Sequence, residues 1–202
     1  WGTELGQMWQ CGEHRVICGD CTELTNVKRL MQGEKADLMV TDPPYGVSVV
    51  EKSGVLKGKG SKNQLAQSKQ YAPVVGDSKT IDPSFLLPLS ENTIIFGGNY
   101  FADKLPAKSG WIVWDKKGEQ KSNDFADCEL AWTTFSTPAR IYSVIWRGMI
   151  KEGESGERFH PTQKPVKLIL DILTDHSEPN QIILDPFLGS GTTMIACENL
   201  GR

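Results

Sequence analysis

The sequence predicts an α/β fold built on a mostly parallel sheet. Short apolar runs alternate along the chain with segments of helical periodicity, the pattern of strands laid side by side with helices packed on them. Two of those runs, Ala36 to Thr41 and Gln181 to Leu184, close in the same way, on an Asp-Pro step where a sheet hands the chain to a turn. The 202 residues make one ordinary domain with room for a buried core, and no internal repeat divides them.

Each element can be placed in order. Arg15 to Cys18 reads as a short strand, and Leu24 to Met31 as a helix with Thr22 placed to cap it. Ala36 to Thr41 is a strand that stops at Asp42. Thr93 to Phe96 runs into Gly97-Gly98-Asn99, and Trp111 to Trp114 is a further strand. Glu129 to Phe135 and Ile141 to Trp146 read as a late antiparallel hairpin. Val166 to Leu173 is a helix with Pro165 in its first turn. Gln181 to Leu184 is a buried strand ending in Asp185, and Gly191 to Leu200 is the last helix. Trp111, Trp114, Trp132 and Trp146 fall in strand patterns, so they are expected in sheet packing rather than against a ligand. Gly46 to Lys79 and Arg147 to Phe159 are polar and Gly-rich, and loops this long within a domain are functional or disordered.

Composition narrows the function. With 39% apolar and 23% charged residues the chain is of the soluble globular class, and no apolar run approaches the roughly 20 residues that span a bilayer. Trp1-Gly2-Thr3-Glu4 has neither the basic nor the apolar region of a secretion signal, so the expectation is a cytoplasmic protein. Five cysteines, an odd number, suit reduced intracellular thiols. Cys11, His14, Cys18 and Cys21 include a C-x-x-C, but no second ligand pair follows at finger spacing, and no metal is expected. The net charge of −3 argues mildly against a phosphate-binding protein. Residues 51–70, however, set Lys52, Lys57, Lys59, Lys62 and Lys69 against a single acid, Glu51. A solvated flexible loop and a mobile arm that grips a phosphate backbone are both open readings of that segment.

Two motifs carry chemistry. In Asp185-Pro186-Phe187-Leu188-Gly189-Ser190-Gly191-Thr192-Thr193 a buried strand enters a Gly-rich turn and a helix starts at once. Glycine lets the backbone approach a ligand, the helix start offers free N–H groups, and the strand-end carboxylate can accept from an ammonium or hydroxyl. No Gly-Lys-Ser/Thr follows, so this is not a P-loop. In Thr41-Asp42-Pro43-Pro44-Tyr45-Gly46 two prolines stiffen the chain at a strand end, where α/β sheets place their ligands. The residue types suit methylation of an exocyclic amine, a poor nucleophile because its lone pair is delocalised. Asp42 and the Pro43 carbonyl can each take one N–H and turn that lone pair towards a methyl donor, a catalysis of positioning. Tyr45 can stack on the base. Read alone, Asp-Pro-Pro is also ordinary turn chemistry.

Taken together and in this order, the motifs resemble the β-group DNA amino-methyltransferases, in which D-P-P-Y precedes D-P-F-x-G-S-G-T-T. His14 to Cys21 is similar to the family's strand whose Gly-Asp recognises the cofactor adenine. His160-Pro161-Thr162-Gln163-Lys164-Pro165 is similar to the segment that lines the methionine end of the cofactor. Phe96 to Asn99 and Trp111 to Lys116 match as well, so the resemblance covers nearly the whole chain. It implies a three-layer Rossmann-like methyltransferase fold with permuted motif order. It implies S-adenosylmethionine as cofactor, held by Asp20, Cys21, Asp42, Thr162, Gln163, Lys164, Asp185, Pro186, Phe187, Gly189, Ser190, Gly191 and Thr192. It implies Asp42, Pro43, Pro44 and Tyr45 as the catalytic group and a base flipped out of double-stranded DNA as the substrate. Transfer would be direct, without covalent intermediate. Asp42, rather than the Ser favoured for N4-cytosine, points to adenine N6. Lys52, Lys57, Lys59, Lys62, Arg140 and Arg147 are the candidate DNA contacts. A bacterial or phage setting, a second copy of the chain and a cognate restriction enzyme are further implications of the family.

The chain departs from the family in two places. There, the last helix leads into a central strand whose acidic end holds the cofactor ribose, and no such strand follows Leu200 here. The segment 136–159, where the family keeps its target-recognition region, is short and mixes Arg140, Arg147, Lys151 and Arg158 with Glu152, Glu154 and Glu157. The rival readings are an N4-cytosine methylase, an inactive DNA- or cofactor-binding module and a nicotinamide dehydrogenase. The last lacks its G-x-G-x-x-G. Protein glutamine methylation ranks lower, because it uses Asn-Pro-Pro-Tyr in the opposite motif order. Cytosine C5 chemistry would need a Pro-Cys nucleophile that the sequence does not contain.

Overall fold

The computed structural model describes residues 2–48, 50, 76–121, 126–147, 150–151, 160 and 162–202, with the backbone alone at 147 and 150–151. Its elements run β1 (Met8–Cys11), β2 (His14–Ile17), α1 (Leu24–Met31), β3 (Ala36–Thr41), β4 (Ser90–Phe96), β5 (Trp111–Asp115), β6 (Cys128–Thr133), β7 (Arg140–Ser143), β8 (Trp146–Arg147), β9 (Ile150–Lys151), α2 (Val166–His176), β10 (Ile183–Leu184) and α3 (Thr192–Leu200). A 3-10 helix, Pro83–Leu89, precedes β4.

Six strands form the main sheet in the order β10-β3-β4-β6-β5-β7. β10, β3 and β4 are parallel, β6 runs against both of its neighbours, and β7 is parallel to β5. The sheet is therefore mostly parallel, as the sequence predicts, but the expected late hairpin is not there. β5 lies between β6 and β7. Burial explains the order: Ala131, Trp132 and Thr133 of β6 are buried in succession, which suits a central strand covered on both faces. In β7 Ile141 is 70% exposed while Tyr142 beside it is buried, the alternation of an edge.

Side chains leave the sheet alternately and build two half-cores. Leu38, Val40, Ile94, Phe96, Ile112 and Trp114 meet Leu168, Ile169 and Ile172 of α2 and Ala196 of α3. On the other face Met39, Ile95 and Trp132 meet Val27 and Met31 of α1 and Leu86 of the 3-10 helix. These are the three expected layers. Trp114, Trp132 and Trp146 are core residues, as their strand positions predict, and Trp111 packs at the margin of the second half-core. The buried indole N–H groups of Trp114 and Trp132 donate to the Val144 and Pro106 carbonyls at 3.0 and 2.9 Å.

Two capping expectations are corrected. Thr22 does not cap α1; Glu23 holds that place with no side-chain bond, because the Thr22 hydroxyl and N–H both donate to Asp20. Pro165 sits one position earlier than expected, as the residue before α2, where its extended backbone turns the chain into the helix. β1 and β2 form a separate antiparallel pair. Among the described residues the helices are too short and too polar to cross a membrane.

The consequence for function lies in one pairing. β3 and β10 are adjacent and parallel, with Leu38 opposite Ile183 and Met39 opposite Leu184. Asp42 and Asp185 thus leave the sheet side by side at its C-terminal edge.

Candidate functional site

The two strand ends are tied together. Thr41, the last residue of β3, donates its hydroxyl to Asp185 Oδ1 at 2.8 Å. The other oxygen of Asp185 accepts from the Thr193 hydroxyl at 2.7 Å, and the Phe187 N–H donates to Oδ1 at 3.1 Å. Burial pushes the Asp185 carboxyl up to about 6, against the pull of these hydrogen bonds and with the nearby charge of Asp42 adding to the rise. The turn that follows needs its glycines. Gly191 has φ +82° and is the residue from which α3 starts, and a Cβ there would meet nothing within 4 Å. The backbone is open to a ligand at this point.

At the end of β3, the Asp42 side chain is 19% exposed. Its Oδ1 accepts from the Tyr45 hydroxyl, and its Oδ2 from the Lys164 ammonium at 2.5 Å. The Tyr45 ring stacks on Tyr100, with centroids 4.8 Å apart and planes 14° apart, and meets Phe101 edge-on at 6.1 Å. Burial, helped by Asp42, holds the Tyr45 phenol well above its usual value, so it stays a donor. Gly97, after β4, lies against the same ring: a Cβ there would fall 2.1 Å from Tyr45 Cε1. The chain leaving Tyr45 is clamped by Asp77, whose carboxylate accepts from the N–H groups of Gly46 and Val47 at 3.0 and 3.2 Å. One face of Tyr45 is therefore already covered by Tyr100, which is itself 46% exposed and forms the outer ring of the stack. Sequence reasoning passed over Tyr100. An aromatic residue directly after the Gly-Gly-Asn at the end of β4 was the available signal.

Lys164 is not a solvated helix start. It is 8% exposed and lies under the rings of Phe96 and Tyr45, at 5.0 and 6.0 Å. Against burial, which alone would lower it, Asp42 and Glu129 hold the ammonium above its usual value. Its backbone carbonyl accepts from the Thr192 hydroxyl at 3.2 Å, which joins the 160–165 segment to the start of α3. Thr192 also meets the Ser190 hydroxyl at 3.2 Å. The Thr162 hydroxyl and His160 Nδ1 lie 3.0 Å apart, and the Gln163 N–H donates to the His160 carbonyl at 3.2 Å. Burial lowers His160, against the pull of Asp42, and so favours its neutral form.

Of the predicted cofactor residues, Cys21, Asp185 and Pro186 reach a cavity and Lys164 reaches Asp42. A cavity of about 660 Å³, within the range of small-molecule sites, is lined by Gly19, Cys21, Asn26, Asp185, Pro186 and Leu188 among others. Asp42, Lys164, Phe187, Gly189, Ser190, Gly191 and Thr192 are not on its wall. Asp20 stands beside it, exposed, and bonds to Thr22 hold its carboxyl below the usual range. Burial pushes the Cys21 thiol up to about 11, so it is neutral and unreactive at pH 7. Arg140 is exposed at the start of β7, so part of the candidate recognition segment is sheet rather than loop. Lys52, Lys57, Lys59 and Lys62, the side chain of Arg147, and Pro161 lie outside the described residues. Among the described residues no group of three or more His, Cys, Asp or Glu could hold a metal ion.

A family profile described as DNA methylase, of the N6/N4 type, matches residues 111–202. The putative methylase YubD of Escherichia coli (strain K12) is 48% identical over 199 residues, 93% of this chain and 81% of its own. The type II methyltransferase M2.LlaDCHI of Lactococcus lactis subsp. cremoris is 35% identical over 91 residues. That alignment takes in 45% of this chain and only 34% of the Lactococcus enzyme. The crystal structure of the M1.HpyAVI-SAM complex aligns with 91% of this chain and 87% of its own at 25% identity, with a TM-score of 0.49.

Proposed function

The chain belongs to the N6/N4 DNA methylase family, whose cofactor is S-adenosylmethionine, and from that premise we propose that it methylates adenine N6 in double-stranded DNA. The observation that carries the proposal is the Thr41–Asp185 hydrogen bond, which fixes the Asp-Pro-Pro-Tyr corner beside the Gly-rich turn. The residues present fit the cofactor. Asp185, Pro186 and Leu188 line a cavity of suitable size, and the glycine turn and helix start follow directly from them, with open space beside Gly191.

S-adenosylmethionine, when bound, supplies an electrophilic methyl group. Asp185, Gly189, Ser190 and Gly191 would hold its amino-acid end, with Thr162, Gln163 and Thr192 behind them. Cys21 and Asp20 would hold its adenine end. Asp42 and the Pro43 carbonyl would accept the two N–H bonds of the target amine, which turns the nitrogen lone pair towards the methyl group. Pro43 and Pro44 keep that carbonyl in place. The Tyr45–Tyr100 stack offers an aromatic platform for the base. Arg140 and the lysines of 51–70 are the proposed phosphate contacts. The proposed setting is the cytoplasm, with the chain encoded by a bacterium or a phage.

The test is transfer of label from tritiated S-adenosylmethionine to unmethylated bacterial genomic DNA, followed by mass spectrometry of the nucleosides. N6-methyladenine is the expected product. N4-methylcytosine would correct the base, and absence of label would reduce the chain to a binding module.

Asp185 gives a pH dependence. In the folded protein its carboxyl keeps a proton up to about 6, whereas the unperturbed value is 3.8. Its contribution to stability is full below 3.8 and is lost as pH rises through 6. A cationic ammonium needs the ionised form, so affinity runs the other way. Calorimetric titration should show S-adenosylmethionine binding weaken below pH 6, by at most about tenfold per unit. The Asp185→Asn variant should bind weakly at every pH, without that slope.

A further inference from the structure

Five side chains from four parts of the chain form one line of charges and hydrogen bonds. Lys116, just past β5, donates to Glu129 Oε1 at 2.7 Å. Glu129, on β6, places Oε2 3.3 Å from the ammonium of Lys164. Lys164 reaches Asp42 Oδ2 at 2.5 Å, and Asp42 takes the Tyr45 hydroxyl on its other oxygen. The side chains of Lys116 and Glu129 are 18% and 25% exposed, and that of Lys164 is 9%. Burial alone would raise Glu129, but Lys164 and Lys116 hold it down at about 2, so it is a carboxylate at any working pH.

The two ammonium and two carboxylate groups balance. That balance matters at Asp42. The Lys164 ammonium lies 2.5 Å from Asp42 and 3.3 Å from Glu129, so it takes one lone pair of Asp42 Oδ2 while its charge is also balanced from the other side. With Glu129 on its other side, Lys164 is shared. Glu129 also adds a second fixed carboxylate to the ion cluster that ends on Asp42, where the proposed amine becomes positive as it gains a methyl group. Fixed charges aimed at developing charge act strongly in a dry site. Neither Glu129 nor Lys116 belongs to the Asp-Pro-Pro-Tyr or Gly-rich motifs.

We propose that Glu129 is a positioning residue for methyl transfer: held by Lys116, it grips the Lys164 ammonium from the side away from Asp42 and so fixes the Asp42 carboxylate, whose oxygens each keep one lone pair for the target amine. The inference rests on the reading of Asp42 as the amine acceptor.

The experiment measures kcat, KM for DNA and the dissociation constant for S-adenosylmethionine, using unmethylated genomic DNA. The proteins are wild type, Asp42→Ala, Glu129→Gln, Glu129→Asp, Lys164→Met and the double variant Glu129→Gln/Lys164→Met. Glu129→Gln should lower kcat about 10- to 100-fold, less than the 10²–10³-fold lost when a group touching the reacting atoms is removed. KM and cofactor binding should change less than about threefold, and Glu129→Asp should recover part of the rate. In the Lys164→Met background the Glu129→Gln change should have no further effect, because it acts through Lys164. Wild-type kcat in Glu129→Gln would overturn the proposal. So would losses that multiply in the double variant. Should Glu129→Gln not fold, Lys116→Gln takes its place, with the same fall in kcat expected and wild-type kcat again overturning the proposal. A fully active Asp42→Ala would sink the underlying reading of Asp42. An inactive Asp42→Ala beside a fully active Glu129→Gln would sink the inference alone.

Discussion

Replacing Asp42 by alanine should lower kcat for methyl transfer by about 10²–10³-fold or more, a larger loss than the one it causes in S-adenosylmethionine affinity. The group removed is the one placed to accept an amine N–H, and the loss of a single preorganised partner at a reacting atom has that size. The fold should survive. The Lys164 ammonium keeps Glu129 at 3.3 Å, so the change does not strand a buried cation. Single-turnover label transfer and a separate cofactor titration check both halves. Wild-type kcat in this variant would remove Asp42 from the reaction.

The second large effect is expected at a residue with no functional group. Gly97→Ala would place a methyl group 2.1 Å from Tyr45 Cε1, at a backbone φ of +72°. The left-handed backbone alone costs about 1–3 kcal/mol with a side chain, a Tm loss of about 2–12 °C for a chain of this length. The contact does more. Its nearest atoms belong to the middle of the ring, so Tyr45 must move as a whole, away from Tyr100 and from Asp42. A fall in kcat of about 10- to 100-fold should accompany the lost stability. Gly12→Ala is the control. It has φ +62° and open space around the new methyl group, so it should lower Tm and leave kcat alone. Equal kcat in the two variants would show that the position of Tyr45 does not matter.

How much of this was legible beforehand depends on how local each signal is. β3 and α1 were read with their bounds intact, because a six-residue apolar strand closing on Asp-Pro, and an eight-residue helix, announce themselves within a few residues. The strand ends at Asp42 and Asp185 were legible for the same reason. β1 was not, since Met8, Trp9, Gln10 and Cys11 are all exposed and carry no core pattern. The order β6-β5-β7 was misread because strands of similar pattern choose their partners by long-range packing, which spacing along the chain does not encode. The same holds within the site. The Asp-Pro-Pro-Tyr corner is local chemistry, but the ammonium that meets Asp42 comes from 122 residues away. Glu129 sits in a strand as an ordinary polar residue, and its meaning comes only from the two lysines that the fold delivers to it. Tyr100 was missed likewise, because its importance lies in the ring it covers.

The hydrogen bond between Thr41 and Asp185 joins residues 144 positions apart. The entropic cost of closing a segment grows only slowly with its length, but contacts of high sequence separation form slowly. β3 and β4 can pair well before β10 arrives, since only the chain between Thr41 and Ser90 separates them. The expected order of folding therefore follows the order of the sequence, with the Asp-Pro-Pro-Tyr corner made first and the cofactor turn docked last, and pulsed hydrogen exchange on β3 and β10 checks it. A growing or refolding chain passes through states with most of the sheet in place and no catalytic competence. In those states the edge of β3 is open to pairing with another chain, and the arrival of β10 covers it as it brings Asp185 to Thr41.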